Sequence, residues 1–369
     1  MPIRFVPLDE SLLPLTRAFN RRMRDGKAPV DFYLSDEMGR APDRAKLIQQ
    51  EHLIAVEGAS ARGGFIEAVY PGWLKSSQTA LTNVSGILSE GVIDKSYLML
   101  PAQMVKTFLK RDPHTFVVGM GGDHMPLPRL LKSAAWSVEQ IPFFFRMCRP
   151  GRVLRELQPL QRPPWKRFAA QTAAITGAGA LAIHGMQSFR GARRADSGAK
   201  SQLVASFDSW ADQIWEEARS DIGVSVARTA GVLEELYPPD DTRLRRYLIT
   251  SKGQPIAWVV ALLAPYRNHK YFGNLTVGII LDALAKPGVH ASAVRLTASA
   301  LAAEKADLLV ANFTHAHWCA AFRSAGFRPG PSNYLLAASP ALAKACDGAP
   351  VASGRVHFTR GDGDGRVNL

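Results

Sequence analysis

The chain has 369 residues, 47% of them apolar and 21% charged, with a formal net charge of +13. That length exceeds one ordinary core and fits two domains, and the composition excludes a disordered chain. Cys148, Cys319 and Cys346 are odd in number and scattered, which excludes a disulfide framework or a cysteine zinc site and points to a reducing compartment.

The opening MPIRFVPLDESLLPL lacks the basic-then-apolar layout of a secretory signal, so the expected location is the cytoplasm. Residues 3–6 read as a strand. A helix follows to about Arg24, with Leu12, Leu15, Phe19 and Met23 at helical spacing. Two short strands, 52–57 and 64–69, flank the turn-forming GASARG, and a third, 81–88, leads into Ser89-Glu90-Gly91. A helix over 97–110, a buried strand near Val117, a short helix and the apolar IPFFFRMCRP as a last strand complete the first half.

The second half repeats this plan. A helix over 207–219 precedes the hairpin RLRRYLITSKGQPIAWVVALL, with its turn at Lys252-Gly253. A strand over 273–281, an Ala-rich helix over 289–304, a strand near Leu308, a helix and a strand at 334–339 follow. Residues 117–136 and 308–327 align without a gap: Val117 on Leu308, His124 on His315, Ser133-Ala134-Ala135-Trp136 on Ser324-Ala325-Gly326-Phe327, and upstream Asn83 on Asn274, always 191 residues apart. A shared register over separate segments is the mark of a duplicated unit. The expected layout is a first domain over 1–150, a connector over 151–205, a second domain over 206–342, and a C-terminal strand with an acidic tail over 343–369.

Between Arg146 and Lys200 there are eleven Lys or Arg against Glu156 and Asp196, so most of the net charge sits between the repeats. The run WKRFAAQTAAITGAGALAIHGMQSFR is too interrupted by polar residues and glycine to span a membrane. Its basic flanks suit peripheral contact with an anionic inner membrane face; the alternative is a solvated linker or a helix packed on a domain. Nucleic acid is not expected as a partner, because the positive charge is confined mostly to this connector.

The element order, with Leu88-Ser89-Glu90-Gly91-Val92-Ile93-Asp94, Gly119-Met120-Gly121-Gly122 followed by Pro128-Arg129-Leu130-Leu131-Lys132, Phe143-Phe144-Phe145-Arg146 and the closing Thr359-Arg360-Gly361-Asp362-Gly363-Asp364, resembles the GNAT N-acetyltransferase superfamily. The likeness is to its two-domain members associated with bacterial surface-polysaccharide genes. It implies an α+β fold of two tandem GNAT-like domains, each a mixed, mostly antiparallel sheet flanked by helices. It also implies acetyl-CoA or another acyl-CoA as co-substrate, without a metal. The acyl-CoA would lie where the fourth and fifth strands part, its pyrophosphate on amides at the next helix start. The acceptor would be an amine on a small molecule or sugar, attacking the thioester directly while a carboxylate or a water held by one removes its proton.

Carried onto this chain, the fourth strands are 82–89 and 273–281, and the candidate general bases are Glu90 and, one residue beyond the matching position, Asp282. Candidate cofactor contacts are Leu88, Ser89, Ser96 and Tyr97 in the first unit, and Ile280, Lys286, Gly288, His290 and His315 in the second. The chain departs from the family pattern at two points. Neither loop has the paired small residues that let backbone approach a pyrophosphate, and the family's general-acid tyrosine is Leu131 in one unit and Phe322 in the other. Two further readings therefore stand beside the acyltransferase: a catalytically silent tandem module that binds an anionic partner or membrane surface, and a Fem-type transferase using aminoacyl-tRNA. His315 and His317, two apart on a turn, read as satisfied or exposed histidines rather than metal ligands.

Overall fold

A computed structural model describes residues 2–30, 32–36, 45–157 and 198–363. In chain order the elements are β1 (Arg4–Pro7), α1 (Leu13–Asp25), β2 (Gln49–Glu57), β3 (Ser60–Leu74), β4 (Ser77–Ser89), α2 (Leu100–Arg111), β5 (Thr115–Gly119), α3 (Pro126–Ser133), β6 (Ser137–Gln140), β7 (Phe143–Met147) and α4 (Pro150–Glu156). After the connector come β8 (Ala199–Leu203), α5 (Ser209–Ala218), β9 (Val224–Val226), α6 (Ala230–Leu236), β10 (Leu244–Ser251), β11 (Gln254–Pro265) and β12 (Thr276–Ala285). The chain continues through α7 (His290–Ala303), β13 (Leu308–Asn312), α8 (Ala316–Ser324), β14 (Arg328–Gly330), β15 (Leu335–Ala338), α9 (Pro340–Ala345) and β16 (Val356–His357).

The expected α+β duplication is present. In the first unit the strands run β1-β2-β3-β4-β5-β15-β6, and in the second β14-β7-β13-β12-β11-β10-β8. Apart from the short parallel pair of β9 with β16, each of these strand orders holds one parallel pair among antiparallel ones, β4 with β5 and β12 with β13. The helical crossover between those strands is what makes a parallel pair possible.

Local sequence explains most of the elements. Phe19 and Met23, one turn apart on α1, are fully buried against Ile54, Val56 and Leu88 on one face of the first sheet. The other face takes α2, where Phe108 meets Phe65 and Trp136 edge-on at 5.6 and 5.9 Å. In the second unit α7 buries Ala293, Val294, Thr297, Ala298 and Leu301 at helical spacing. Phe322 on α8 stacks on Phe144 at 5.4 Å. The Lys252-Gly253 turn is as expected, both residues left-handed at φ 50° and 78°, joining Ser251 directly to Gln254. Strands β3 and β4 run longer than their apolar patterns suggest, because Lys75-Ser76, at φ 47° and 68°, closes the same kind of turn without a glycine.

The domain boundaries differ from the expected ones. The units are Met1–Glu139 with Leu335–Ser353, and Gln140–Tyr334 with Gly354–Leu369. The apolar strand β7, expected to close the first half, pairs with β13 from Phe143↔Asn312 to Met147↔Leu308 and with β14 on its other side. Conversely β15, expected to close the second half, pairs with β5 from Leu335↔Gly119 to Ala338↔Phe116. Only Ile141 and Pro142 separate β6 from β7. A two-residue reversal needs left-handed backbone, which proline's ring forbids, so the chain runs on instead of folding back. The segment expected as a C-terminal strand divides into α9 in the first unit and β16 in the second.

Arg190, Arg193 and Arg194, and the rest of the connector over 158–197, lie outside the described residues, as does the tail beyond Gly363. Of the basic residues before it, Arg149 and Arg152 both approach the fully buried Asp307, at 3.6 and 3.5 Å. No helix among the described residues is long and apolar enough to cross a membrane. All three cysteines are free thiols, two of them buried.

The strand exchange predicts that a chain ending at residue 159 will not fold its first sheet. That chain lacks β15, whose four residues are all buried; losing two buried leucines alone costs about 4 kcal/mol or more, against a typical total of 5–15 kcal/mol. Residues 1–139 joined by a flexible linker to 335–353 should fold, with dispersed amide NMR signals that the simple truncation lacks.

Candidate functional site

In the first unit β4 and β5 pair only at Thr82↔Thr115 and Asn83↔Phe116 and then part. Past that point β4 carries a bulge against β3, where Gly64↔Leu88 gives way to Ile66↔Ser85. Gly86 lies in the bulge at φ +59°, a conformation that suits glycine. Ser85 is exposed and Gly86 and Ile87 half-buried, so the parted stretch of β4 is open to solvent.

Glu90 ends this strand and is 4% exposed. Arg22 Nε donates to its Oε1 at 2.6 Å and Arg62 Nη1 to its Oε2 at 3.0 Å. Arg62 also donates to Glu57 at 3.1 Å and lies 4.7 Å over the Tyr97 ring, while the Tyr97 hydroxyl donates to Glu57 Oε2 at 2.8 Å. The hydrogen bond from Tyr97, reinforced by Arg62, holds the Glu57 carboxyl below its usual range, and the same bond raises the Tyr97 phenol. Glu57, Arg22 and Arg62 were not foreseen, because nothing local marks a partner 68 or 28 residues from Glu90. The expected phosphate loop has another form. Ser96 and Tyr97 belong to a 3-10 turn capped by Asp94, and α2 begins only at Leu100, with Pro101 supplying no N–H. Leu88 is a core residue under α1. Ser89 Oγ accepts from the Gly91 amide at 3.0 Å.

The second unit differs at the same place. Strands β12 and β13 stay paired from Val277↔Leu308 to Ile280↔Ala311, and every residue from Val277 to Ala285, Ile280 among them, is buried. Beyond that pair the protein's own C-terminal segment is inserted. Thr359 forms a bridge with Phe313 and donates its hydroxyl to Asp282 Oδ1 at 3.2 Å. Gly361 has no alternative, since a Cβ there would fall 1.9 Å from the Tyr237 hydroxyl.

Asp282 is fully buried within this plug. Arg228, also fully buried, reaches Asp282 Oδ2 at 2.8 Å and both oxygens of Asp362 at 2.7 and 2.8 Å. Tyr237 donates to Asp282 at 2.9 Å, and His357 Nε2 lies 3.7 Å away. Burial works to raise the Asp282 carboxyl, but Arg228, His357 and Tyr237 hold it below its usual range; for Asp362 burial prevails and the carboxyl is raised. Among the described residues Asp282 is thus an interior ion-pair partner, paired with Arg228 and out of contact with solvent. The Arg360-Gly361-Asp362 tripeptide, with Thr359 before it, makes the plug.

The second helix start brings three histidines together. His290 opens α7, His315 precedes α8 and His317 lies in its first turn; one ring nitrogen from each lies within 4.8 Å of the others. Burial, then the neighbouring histidines, hold His290 down to about 3; burial, then His357, holds His315 down to about 4. Lys286 pairs with Glu217 at 2.7 Å. Gly288, at φ +84°, has open space where a Cβ would stand.

Among solved structures, one of Saccharomyces cerevisiae N-myristoyltransferase with bound myristoyl-CoA and inhibitors superposes with a TM-score of 0.51 at 11% identity, over 92% of this chain and 80% of that one. The chain carries a tandem GNAT-type fold. A probable N-acyltransferase from Enterococcus faecalis aligns over 93% of this chain and 74% of its own, at 9% identity and a TM-score of 0.48. A GCN5-related N-acetyltransferase from Anabaena variabilis aligns over 91% and 72%, at 10% identity and 0.44. No protein-family model and no curated protein matches the sequence.

The two GNAT-type units hold their strand-end carboxylates differently, and substitution separates them. Glu90→Gln puts amide donors against two guanidinium groups and is expected to lower stability by about 2–3 kcal/mol. A solvated loop glutamate would change it by less than about 0.5 kcal/mol. Arg228→Met, which leaves two buried carboxylates without their cation, should cost about 3–5 kcal/mol. Guanidinium unfolding of the full chain measures both.

Proposed function

We propose that the protein is an acyl-CoA-dependent N-acyltransferase whose working cofactor cleft is in the first unit, the second serving as scaffold. The observation that carries this reading is the contrast between the two parted strand pairs. At residues 85–87 β4 is open, whereas the corresponding region of β12 is buried beside the plug of residues 359–362. An open strand edge with backbone groups left over is a partner for the amide-bearing pantetheine arm, and bulged backbone amides can face a thioester carbonyl and stabilise the charge that develops on its oxygen. The amine nitrogen attacks the carbonyl carbon, the C–S bond breaks, CoA leaves as thiolate and the amine proton passes to base.

Glu90 is a poor candidate for that base. Each of its oxygens already accepts from a guanidinium and the residue is buried, so the carboxylate is engaged in ion pairs rather than presented to an amine. Its proposed role is to fix the end of β4 to α1 and β3, leaving the proton to water. The neighbours' names suggest the donor class, since they include a transferase with bound myristoyl-CoA and a GCN5-related N-acetyltransferase. Acetyl as the acyl group and an amino sugar of a surface polysaccharide as acceptor follow from the sequence resemblance.

Calorimetry on the intact chain with acetyl-CoA and myristoyl-CoA tests the reading. One equivalent of at least one of them should bind. Gly86→Val, which forces a β-branched residue into left-handed backbone, should weaken binding at least tenfold while the chain remains folded by circular dichroism. Binding of neither thioester, or equal binding by Gly86→Val, overturns the assignment to the first unit.

A further inference from the structure

The histidine cluster of the second unit is independent of the acyl-CoA reading. His290 and His315 are buried to 9% and 5% exposure, and the His317 side chain is 58% exposed. The rings stand 5.3 to 6.4 Å apart between centroids, and the Trp318 ring packs at 4.9 Å against His290. Two helix starts are held side by side by the α7–α8 packing, so the three side chains converge although His290 and His315 are 25 residues apart in sequence.

We infer that His290, His315 and His317 form a binding site for a transition-metal dication, zinc foremost, with a fourth coordination position open to water or an anion on the His317 side. Three imidazoles are the ligand set of an open zinc site. At Zn–N distances near 2.1 Å, tetrahedral ligands lie roughly 3.4 Å apart, so nitrogens within 4.8 Å of one another need move by no more than about 0.8 Å each.

Outer partners are also present. His315 Nε2 lies 3.5 Å from the Asp221 carbonyl oxygen and His317 Nδ1 4.0 Å from the Asp221 carboxylate. Asp221 thereby offers an outer partner to each ring, its backbone carbonyl to His315 and its nearby carboxylate to His317. The positive ends of the two helices oppose a cation by only about 0.3–1 kcal/mol each, small beside the roughly 10–16 kcal/mol of structural zinc sites, and they favour an anion in the open position. The Cys319 thiol donates instead to the Phe313 carbonyl just past β13, so the expected donors are nitrogen only.

The test uses the full untagged chain after dialysis against chelator. Co²⁺ titration should give visible d–d absorption saturating at one equivalent, and Zn²⁺ should displace it stoichiometrically. His317→Ala removes the exposed ligand without opening the core, so its metal-free melting temperature should match the wild type. Its Zn²⁺ affinity should fall on the order of 10²-fold, at the upper end of what loss of even an outer-shell partner costs, and Zn²⁺ should raise the melting temperature of the wild type only. Weak binding at several equivalents, no Co²⁺ spectrum, or equal affinity in His317→Ala overturns the site. None of these readouts involves an acyl-CoA.

Discussion

Where two parallel strands part, the backbone groups facing the gap lose their ladder partners, and each must find another or remain in water. That constraint arises twice in this protein, once per sheet, and most of what is distinctive about each unit follows from how it is met. In the second unit the chain meets it internally. Phe358 and Thr359 extend the pairing from Phe313 and Thr314, and the gap closes around the buried Asp282. In the first unit β4 stays open after Asn83, and water or a bound molecule has to complete it.

Closing the gap imposes its own electrostatic requirement. An aspartate taken fully out of water is tolerable only when paired and hydrogen-bonded, and the plug brings a second one, Asp362. A single guanidinium answers both, with Arg228 reaching each carboxylate and Tyr237, Thr359 and His357 around them. Glu90 is treated in the opposite proportion, one carboxylate between two guanidinium groups, and it stays close to solvent because Arg22 and Arg62 are themselves partly exposed. Charge is conserved at the strand end in both units, yet it fastens the plug in one and the strand in the other.

Much of the architecture was legible in the sequence because it is written locally. The shared register from Val117 on Leu308 to Trp136 on Phe327 repeats an apolar strand, a turn and an amphipathic helix, and those elements form in both units. The Lys252-Gly253 turn is marked by its glycine, whereas Lys75-Ser76 reaches the same backbone without one and so hid the length of β3 and β4. The exchange of β7 and β15 was not legible, because four or five apolar residues state that a strand is buried and not which strand lies beside it. The same limit applied to the site. Arg228 is 54 residues from Asp282 and 134 from Asp362, a spacing that carries no pattern.

The histidines show where duplication left room for change. At the repeat offset His290 corresponds to Met99, and the two open the vicinity of equivalent helices, α7 and α2. Met99 is 69% exposed and Leu98 beside it 61%, so the first unit keeps its helix start accessible and apolar next to an open strand. The second unit, whose gap is filled, has no such start to keep clear. His290 is instead buried against Trp318 and faces His315 and His317. Once the plug removes the cleft, the free helix ends beside it remain a place where backbone dipoles and side chains converge, and nitrogen donors have collected there.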